Sequence, residues 1–308
     1  MSRLRFTLTP VPPYSLNLTA LRFARFKDEI VDRVRPDSYQ RLLVVDGQLA
    51  LATVTDASTT AQPLLHVELA GPRTTALERP EFVAQLRHIL CTDLDLKPFY
   101  RQARTDDLLA PIVRRFRGLK LSASPTMFEA LVIAVLSQQV NLTVAYSIKR
   151  ALVETFGQRW CSSGATYYAF PGPERFAGET EHSLQRFRLS RAKASTLVRL
   201  GQAFMSGEFS QEGLAALADE EVVARLIQLK GIGRWTAEIA LLRGLARTDA
   251  FPAGDLGVVK YIAQGLLGKA EKAREADMRT FAERWRPYRG LALIYCYAEL
   301  LQRQDNKQ

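Results

Sequence analysis

The chain has 308 residues, 47% of them hydrophobic and 24% charged, a balance that belongs to folded globular proteins and excludes disordered and collagen-like chains. With 42 Lys and Arg against 32 Asp and Glu the net charge is +10, which suits a nucleic acid, an anionic membrane surface or plain solubility. The longest apolar run, Leu291 to Ala298, falls far short of the roughly 20 residues of a bilayer span, and the opening MSRLRFTLTPVPPYS has no apolar signal core, so a cytoplasmic location is expected, at the nucleoid in a prokaryote.

From Met1 to about Tyr100 the pattern is mixed. RLLVVDGQLALATVTDA and LLHVELAG are Leu-rich and β-branched runs broken by Asp-Gly and Gly-Pro, which predicts antiparallel strands joined by hairpins. EFVAQLRHIL then has helical spacing, and from Leu108 onward apolar residues recur at three and four with no strand predicted.

SPTMFEALVIAVL reads as a helix start, with Thr126 as the cap and Glu129 as its reciprocal partner in a capping box. Phe128, Leu131, Val132, Val135, Leu136, Val140, Val144 and Ile148 continue as one apolar stripe, expected in the core. Ser137, Gln138, Gln139 and Asn141 interrupt it, either as a solvated helix end or as a polar patch facing a ligand. SLQRFRLSRAKASTLVRLGQAF predicts one basic amphipathic helix carrying Arg186, Arg188, Arg191, Lys193 and Arg199.

Chemistry concentrates between Glu220 and Lys260. EEVVARLIQL is an amphipathic helix, Lys230-Gly231-Ile232-Gly233 is short enough only for a tight hairpin, and Trp235 to Ala246 returns to helical spacing. Glycines in such a hairpin let a phosphate approach the backbone N–H groups that open the second helix, although they also serve a simple turn between packed helices. Asp255 follows a Pro/Gly turn, just before the helical run VVKYIAQGLL. It suits an N-cap, and a carboxylate fixed beside a DNA-binding hairpin also suits stabilisation of positive charge on a sugar ring. Cys91, Cys161 and Cys296 are widely spaced and read as buried thiols, and the three histidines His66, His88 and His182 are equally scattered, so neither a zinc site nor an iron–sulfur cluster is expected.

GIGRWTA, followed twenty residues after Trp235 by the Asp of FPAGD, resembles the helix–hairpin–helix, Gly/Pro-Asp superfamily of DNA glycosylases. LSQQV and AERWRPYRGLALIYCYAELL look more specifically like the 3-methyladenine DNA glycosylase II group, the AlkA type, from about Ala70 to the C-terminus. The resemblance implies a mostly α fold, a helical glycosylase core preceded by an N-terminal α+β domain of antiparallel sheet plus helices. That domain would occupy residues 1–100. Residues 126–247 would carry the helix–hairpin–helix, and 101–125 with 248–308 would close the cleft.

It also implies roles. Asp255 matches the catalytic Asp; Trp235, Tyr297 and Gln138 match the base pocket, with Ile239 standing where an aromatic is familiar. Gln139 matches the side chain that fills the gap left by the extruded nucleotide, in place of a leucine. Lys230, Gly231, Ile232, Gly233, Arg234 and Thr236 match the DNA-binding hairpin, and the carbonyls of Ile227, Leu229 and Gly231 a structural Na+ or K+. Bifunctional relatives resembling endonuclease III place a Lys where this chain has Trp235, and four Cys where it has only Cys296. The expectation is therefore a monofunctional N-glycosyl hydrolase of base excision repair, without zinc or iron–sulfur cofactor. It would be a monomer on double-stranded DNA without sequence preference, with no membrane partner. Its bases would be 3-methyladenine and 7-methylguanine, with 1-methyladenine and ethenoadenine within reach. The competing reading is a non-catalytic DNA-binding module in which Asp255 only caps a helix.

Overall fold

The computed structural model describes residues 2–56, 58–72, 79–255, 257–258 and 274–305. Five strands, β1 (Ser2–Leu8), β2 (Asp32–Arg35), β3 (Ser38–Val45), β4 (Gln48–Asp56) and β5 (Leu65–Gly71), pair antiparallel in the order β1-β5-β4-β3-β2. Asp46 and Gly47 turn the chain between β3 and β4 with φ of 45° and 73°, the left-handed pair that matches the twist of a two-residue hairpin. Helices α1 (Leu16–Ala20) and α2 (Pro80–Ile89) cover one face, where Tyr39, Leu43, Val54 and Val67 meet Phe82, Leu86 and Ile89.

The helical part begins with α3 (Lys97–Ala103) and α4 (Leu109–Arg115), followed by α5 (Met127–Ser137) and α6 (Leu142–Phe156). Then come α7 (Pro173–Ala177), α8 (Glu181–Gln185), α9 (Arg191–Met205), α10 (Gln211–Ala215), α11 (Asp219–Leu226) and α12 (Arg234–Gly244), and finally α13 (Glu275–Ala282) and α14 (Arg289–Asp305). One apolar cluster runs through them from Cys91 to Ala298, while Leu90 still belongs to the cluster under the sheet. No helix among the described residues is long and apolar enough to cross a membrane.

Several local expectations are corrected. A hairpin of β6 (Arg159–Ser162) and β7 (Ala165–Tyr168) lies inside the stretch predicted to lack strands. Its strands are too short to show a period, and they form because Tyr167 and Ala169 pack on Leu42, Leu51 and Ala70, the outer face of the sheet. Arg33 adds a hydrogen bond to the Thr166 carbonyl. Thr126 does cap α5, accepting from the Glu129 amide at 3.2 Å, but the Glu129 carboxylate does not return the bond. It goes to Arg41 of β3 at 2.6 Å, because a buried guanidinium needs that charge more than an exposed amide does.

The apolar stripe is split between α5 and α6, and Val140 is exposed in the loop between them. The basic segment is likewise two helices, α8 and α9, separated where Arg188 takes a φ of 64°. Cys91 and Cys296 are buried, as expected, but Cys161 on β6 is exposed. The helix expected over VVKYIAQGLL lies outside the described residues, apart from Val258.

Candidate active site

The hairpin between α11 and α12 uses its two glycines differently. Gly231 has a φ of 102°, and a Cβ there would overlap the Thr196 hydroxyl of α9, so the chain's own packing requires glycine. Gly233 is the N-cap of α12 at φ −98°, has no side-chain cap, and a Cβ added to it would meet nothing within 4 Å. The first N–H groups of α12 therefore open onto free space, the arrangement that receives a phosphate at a helix N-terminus. Lys230, Gly231 and Gly233 are exposed, whereas Ile232 and Leu229 are buried and anchor the turn.

Two other residues assigned to the hairpin are engaged within the protein. Arg234 donates to both Glu220 oxygens at 2.7 and 2.9 Å and to Glu238 at 3.0 Å, so its charge is matched within the protein. The Thr236 side chain is buried, and its hydroxyl accepts from the Gln138 carboxamide at 2.9 Å. Gln138 also donates to the Gly231 carbonyl at 3.0 Å, so it braces the hairpin from the end of α5. Gln139 is exposed at φ 52°, at the tip of the loop that ends where Asn141 caps α6.

Of the three carbonyls expected to hold a monovalent cation, that of Gly231 accepts from Gln138 at 3.0 Å and that of Leu229 from the Ile232 amide at 3.0 Å, which leaves each a second lone pair.

At the other end of the first turn of α12, the Trp235 indole N–H donates to Asp255 Oδ2 at 3.0 Å. The Tyr297 hydroxyl, from α14, donates to Asp255 Oδ1 at 3.0 Å, and the Gly257 amide donates to the same oxygen at 2.7 Å. Asp255 thus holds the start of the chain that follows it and also joins two aromatic rings from separate helices. Burial, and then the facing Asp255 carboxylate, push the Tyr297 phenol well above its ordinary range, so it remains a neutral donor. Ile239 is half-buried one turn beyond Trp235 on the same side of α12. The structure therefore brings Asp255, Trp235, Tyr297 and Ile239 to one place, and puts Gln138 between that place and the hairpin.

Gly257 and Thr196 were not anticipated. A Cβ on Gly257 would stand 2.8 Å from Asp255 Oδ1 and 3.0 Å from the Tyr297 hydroxyl, closer than side-chain atoms come, so this glycine lets the phenol and carboxylate meet. Its only sequence signal is its place two residues after an N-cap, where a free amide is wanted.

The model of the HhH-GPD superfamily of base excision DNA repair proteins matches residues 132–287. The chain belongs to this superfamily. The superfamily match contains Gln138, the hairpin, Trp235 and Asp255, and ends before Tyr297. The chain is 34% identical over 223 residues to the DNA-3-methyladenine glycosylase of Bacillus subtilis, covering 72% of this chain and 73% of that protein. It is 26% identical over 294 residues to DNA-3-methyladenine glycosylase 2 of Escherichia coli, covering 95% and 96%. The solved 3-methyladenine DNA-glycosylase from Archaeoglobus fulgidus superposes with a TM-score of 0.83 at 26% identity, over 96% of this chain and 98% of that one.

Proposed function

We infer that the protein is a monofunctional DNA glycosylase of alkylation repair, which extrudes a damaged base from double-stranded DNA, hydrolyses its N-glycosidic bond and leaves an abasic site. The convergence of the Trp235, Tyr297 and Gly257 donors on Asp255, beside an uncapped helix N-terminus, carries this reading. A paired base is out of reach in the duplex and is turned out at a cost of a few kcal/mol, least for damaged or poorly paired bases. The hairpin amides hold the backbone without reading sequence.

With both carboxylate oxygens engaged by donors, Asp255 acts as a fixed anion facing the sugar rather than as an attacking nucleophile. A charge pair about 4 Å apart at an effective dielectric near 20 interacts by roughly 4 kcal/mol, about a thousandfold in rate. Trp235 and Tyr297 supply ring faces for the extruded base, and an alkylated purine that already carries positive charge leaves as a neutral base without a general acid. On this reading 3-methyladenine and 7-methylguanine are substrates, 1-methyladenine and ethenoadenine fit a pocket widened by Ile239, and the enzyme works as a monomer. Trp235 occupies the place where a Schiff-base lysine would stand, so no lyase step follows.

The test is single-turnover base release from duplexes that each hold one defined lesion, with borohydride present in a parallel reaction. Expected are intact abasic strands that nick only on alkali treatment, and no trapped adduct. Release of none of the alkylated purines, or a trapped adduct at stoichiometric yield, contradicts the assignment.

A further inference from the structure

Helix α12 is enclosed on nearly every side. Thr236, Ala237, Glu238, Ala240, Leu241, Leu242 and Gly244 are all buried, and after the exposed Arg234 only Trp235, Ile239 and Arg243 are half-open. These three are spaced by four residues and so form one half-open strip of the helix, which runs from Trp235 through Ile239 to Arg243.

Arg243 brings to that strip a positive charge that no carboxylate hydrogen-bonds among the described residues. Two neighbouring arginines are paired, Arg234 with Glu220 and Glu238, and Arg279 with Glu238 and Glu275. Among the described residues no carboxylate pairs with Arg243, and its nearest polar partner is the Ser122 carbonyl at 3.4 Å. That carbonyl is shared with a second guanidinium, Arg22, at 3.0 Å, whose Nε is buried with no partner. A third cation, Arg25, stands beside Phe26, whose ring stacks on Tyr146 at 3.9 Å. The charges of Arg243 and Arg25 also pull the Tyr297 phenol down, against the larger upward push of burial and of Asp255, so both are felt at the ring that binds Asp255. Arg243 and Arg22 share one carbonyl, and among the described residues neither hydrogen-bonds a carboxylate, so an anion that arrives there stabilises them even with Asp255 on the far side of the Tyr297 ring.

Cleavage of the glycosidic bond creates one. When C1′ and the base nitrogen separate, the electron pair goes to the base. A cationic alkylpurine becomes neutral, but a neutral lesion such as hypoxanthine or ethenoadenine becomes an anion. We propose that Arg243 donates hydrogen bonds to the departing neutral base and takes up its negative charge, so that release of neutral lesions depends on Arg243 and release of cationic ones does not. This rests on the glycosylase reading above. Water then divides between the products, with hydroxide bonding to C1′ and a proton going to the base nitrogen, while the guanidinium keeps its own protons. The same charge opposes entry of a cationic base and offsets part of the attraction of such a base to the Trp235 ring.

Single-turnover release of hypoxanthine and of 7-methylguanine, measured on the wild type, Arg243→Gln and Arg243→Lys, tests this. In Arg243→Gln hypoxanthine release is expected to fall about 10- to 100-fold, the effect of one hydrogen bond to a charged group, with 7-methylguanine release unchanged or faster. Arg243→Lys keeps the charge and is expected to retain part of the hypoxanthine activity. The 7-methylguanine rate of the same preparation reports folding. Equal loss on both lesions, or no loss on either, overturns the proposal. A wild type that releases 7-methylguanine but not hypoxanthine overturns it while leaving the glycosylase reading intact, and release of neither overturns both.

Discussion

In the function proposed above, Asp255 depends on a residue two positions away that has no side chain. Gly257 lends its amide to Oδ1 and leaves room for the Tyr297 hydroxyl at 3.0 Å on the same oxygen. In Gly257→Ala the new Cβ would sit 2.8 Å from that oxygen, so the carboxylate turns or the phenol withdraws. Loss of one hydrogen bond to a charged group is worth about 1.5 to 3 kcal/mol, and base release is expected to drop at least about tenfold. Thermal melting of the same sample is expected to move little, since Gly257 is only half-buried. A variant that melts normally and releases base at the wild-type rate would show that the phenol–carboxylate contact is dispensable. Asp255 and Trp235 were legible because their tokens, FPAGD and GIGRWTA, are rare in combination, and Tyr297 because its helix carries a long recognisable pattern. Gly257 and Arg243 were not, since a glycine in a turn and an arginine on a helix are ordinary until the burial of their neighbours is known.

The two hairpin glycines separate folding from binding. Gly231→Ala sets a methyl group against the Thr196 hydroxyl at a φ of 102°, so it is expected to destabilise the protein by about 1 to 3 kcal/mol, read as a lower melting temperature. Gly233→Ala meets nothing within 4 Å and keeps an ordinary φ of −98°, so stability is expected to hold while affinity for undamaged duplex falls, because the methyl stands where the phosphate is received. Unchanged duplex affinity in Gly233→Ala would remove the hairpin as the DNA anchor. Among the elements, the long helices were readable from their period. The divisions at Ser137–Asn141 and at Arg188 were not, because apolar spacing continued across both breaks while the backbone left the helix, at φ 52° for Gln139 and 64° for Arg188. The β6–β7 hairpin owes its form to packing on the sheet, which no four-residue window can reveal.

Across the molecule, the sheet is fastened to the helices by buried charge. Arg41 of β3 bonds Asp32 at 2.7 Å and Glu129 of α5 at 2.6 Å, and Lys149 of α6 bonds Glu29 at 2.6 Å. His88 of α2 donates to the Gly244 carbonyl at the end of α12 at 2.8 Å, and burial holds its imidazole below the ordinary range, so it stays neutral there. Such pairs add little net stability over apolar packing but fix one arrangement, because either partner alone would leave a buried charge unmatched. In that arrangement Arg22, from the sheet side, meets Arg243 of α12 at one carbonyl, that of Ser122. Several basic side chains are engaged within the protein, Arg191 with Glu181, Arg234 with Glu220, and Lys193 with the Leu136 carbonyl, so the count of 42 Lys and Arg overstates the number free to follow a phosphate.

In the proposed function Asp255 supplies charge to the reaction and not merely a cap to the chain. Asp255→Asn keeps an oxygen for the Gly257 amide and removes the charge, so it separates the two roles. Single-turnover release of 7-methylguanine and the Kd for a duplex holding an abasic-site analogue are measured on one preparation. The expected result is release slowed by about a thousandfold with binding within a few fold of wild type. Release near the wild-type rate would contradict the account and leave Asp255 as a helix cap.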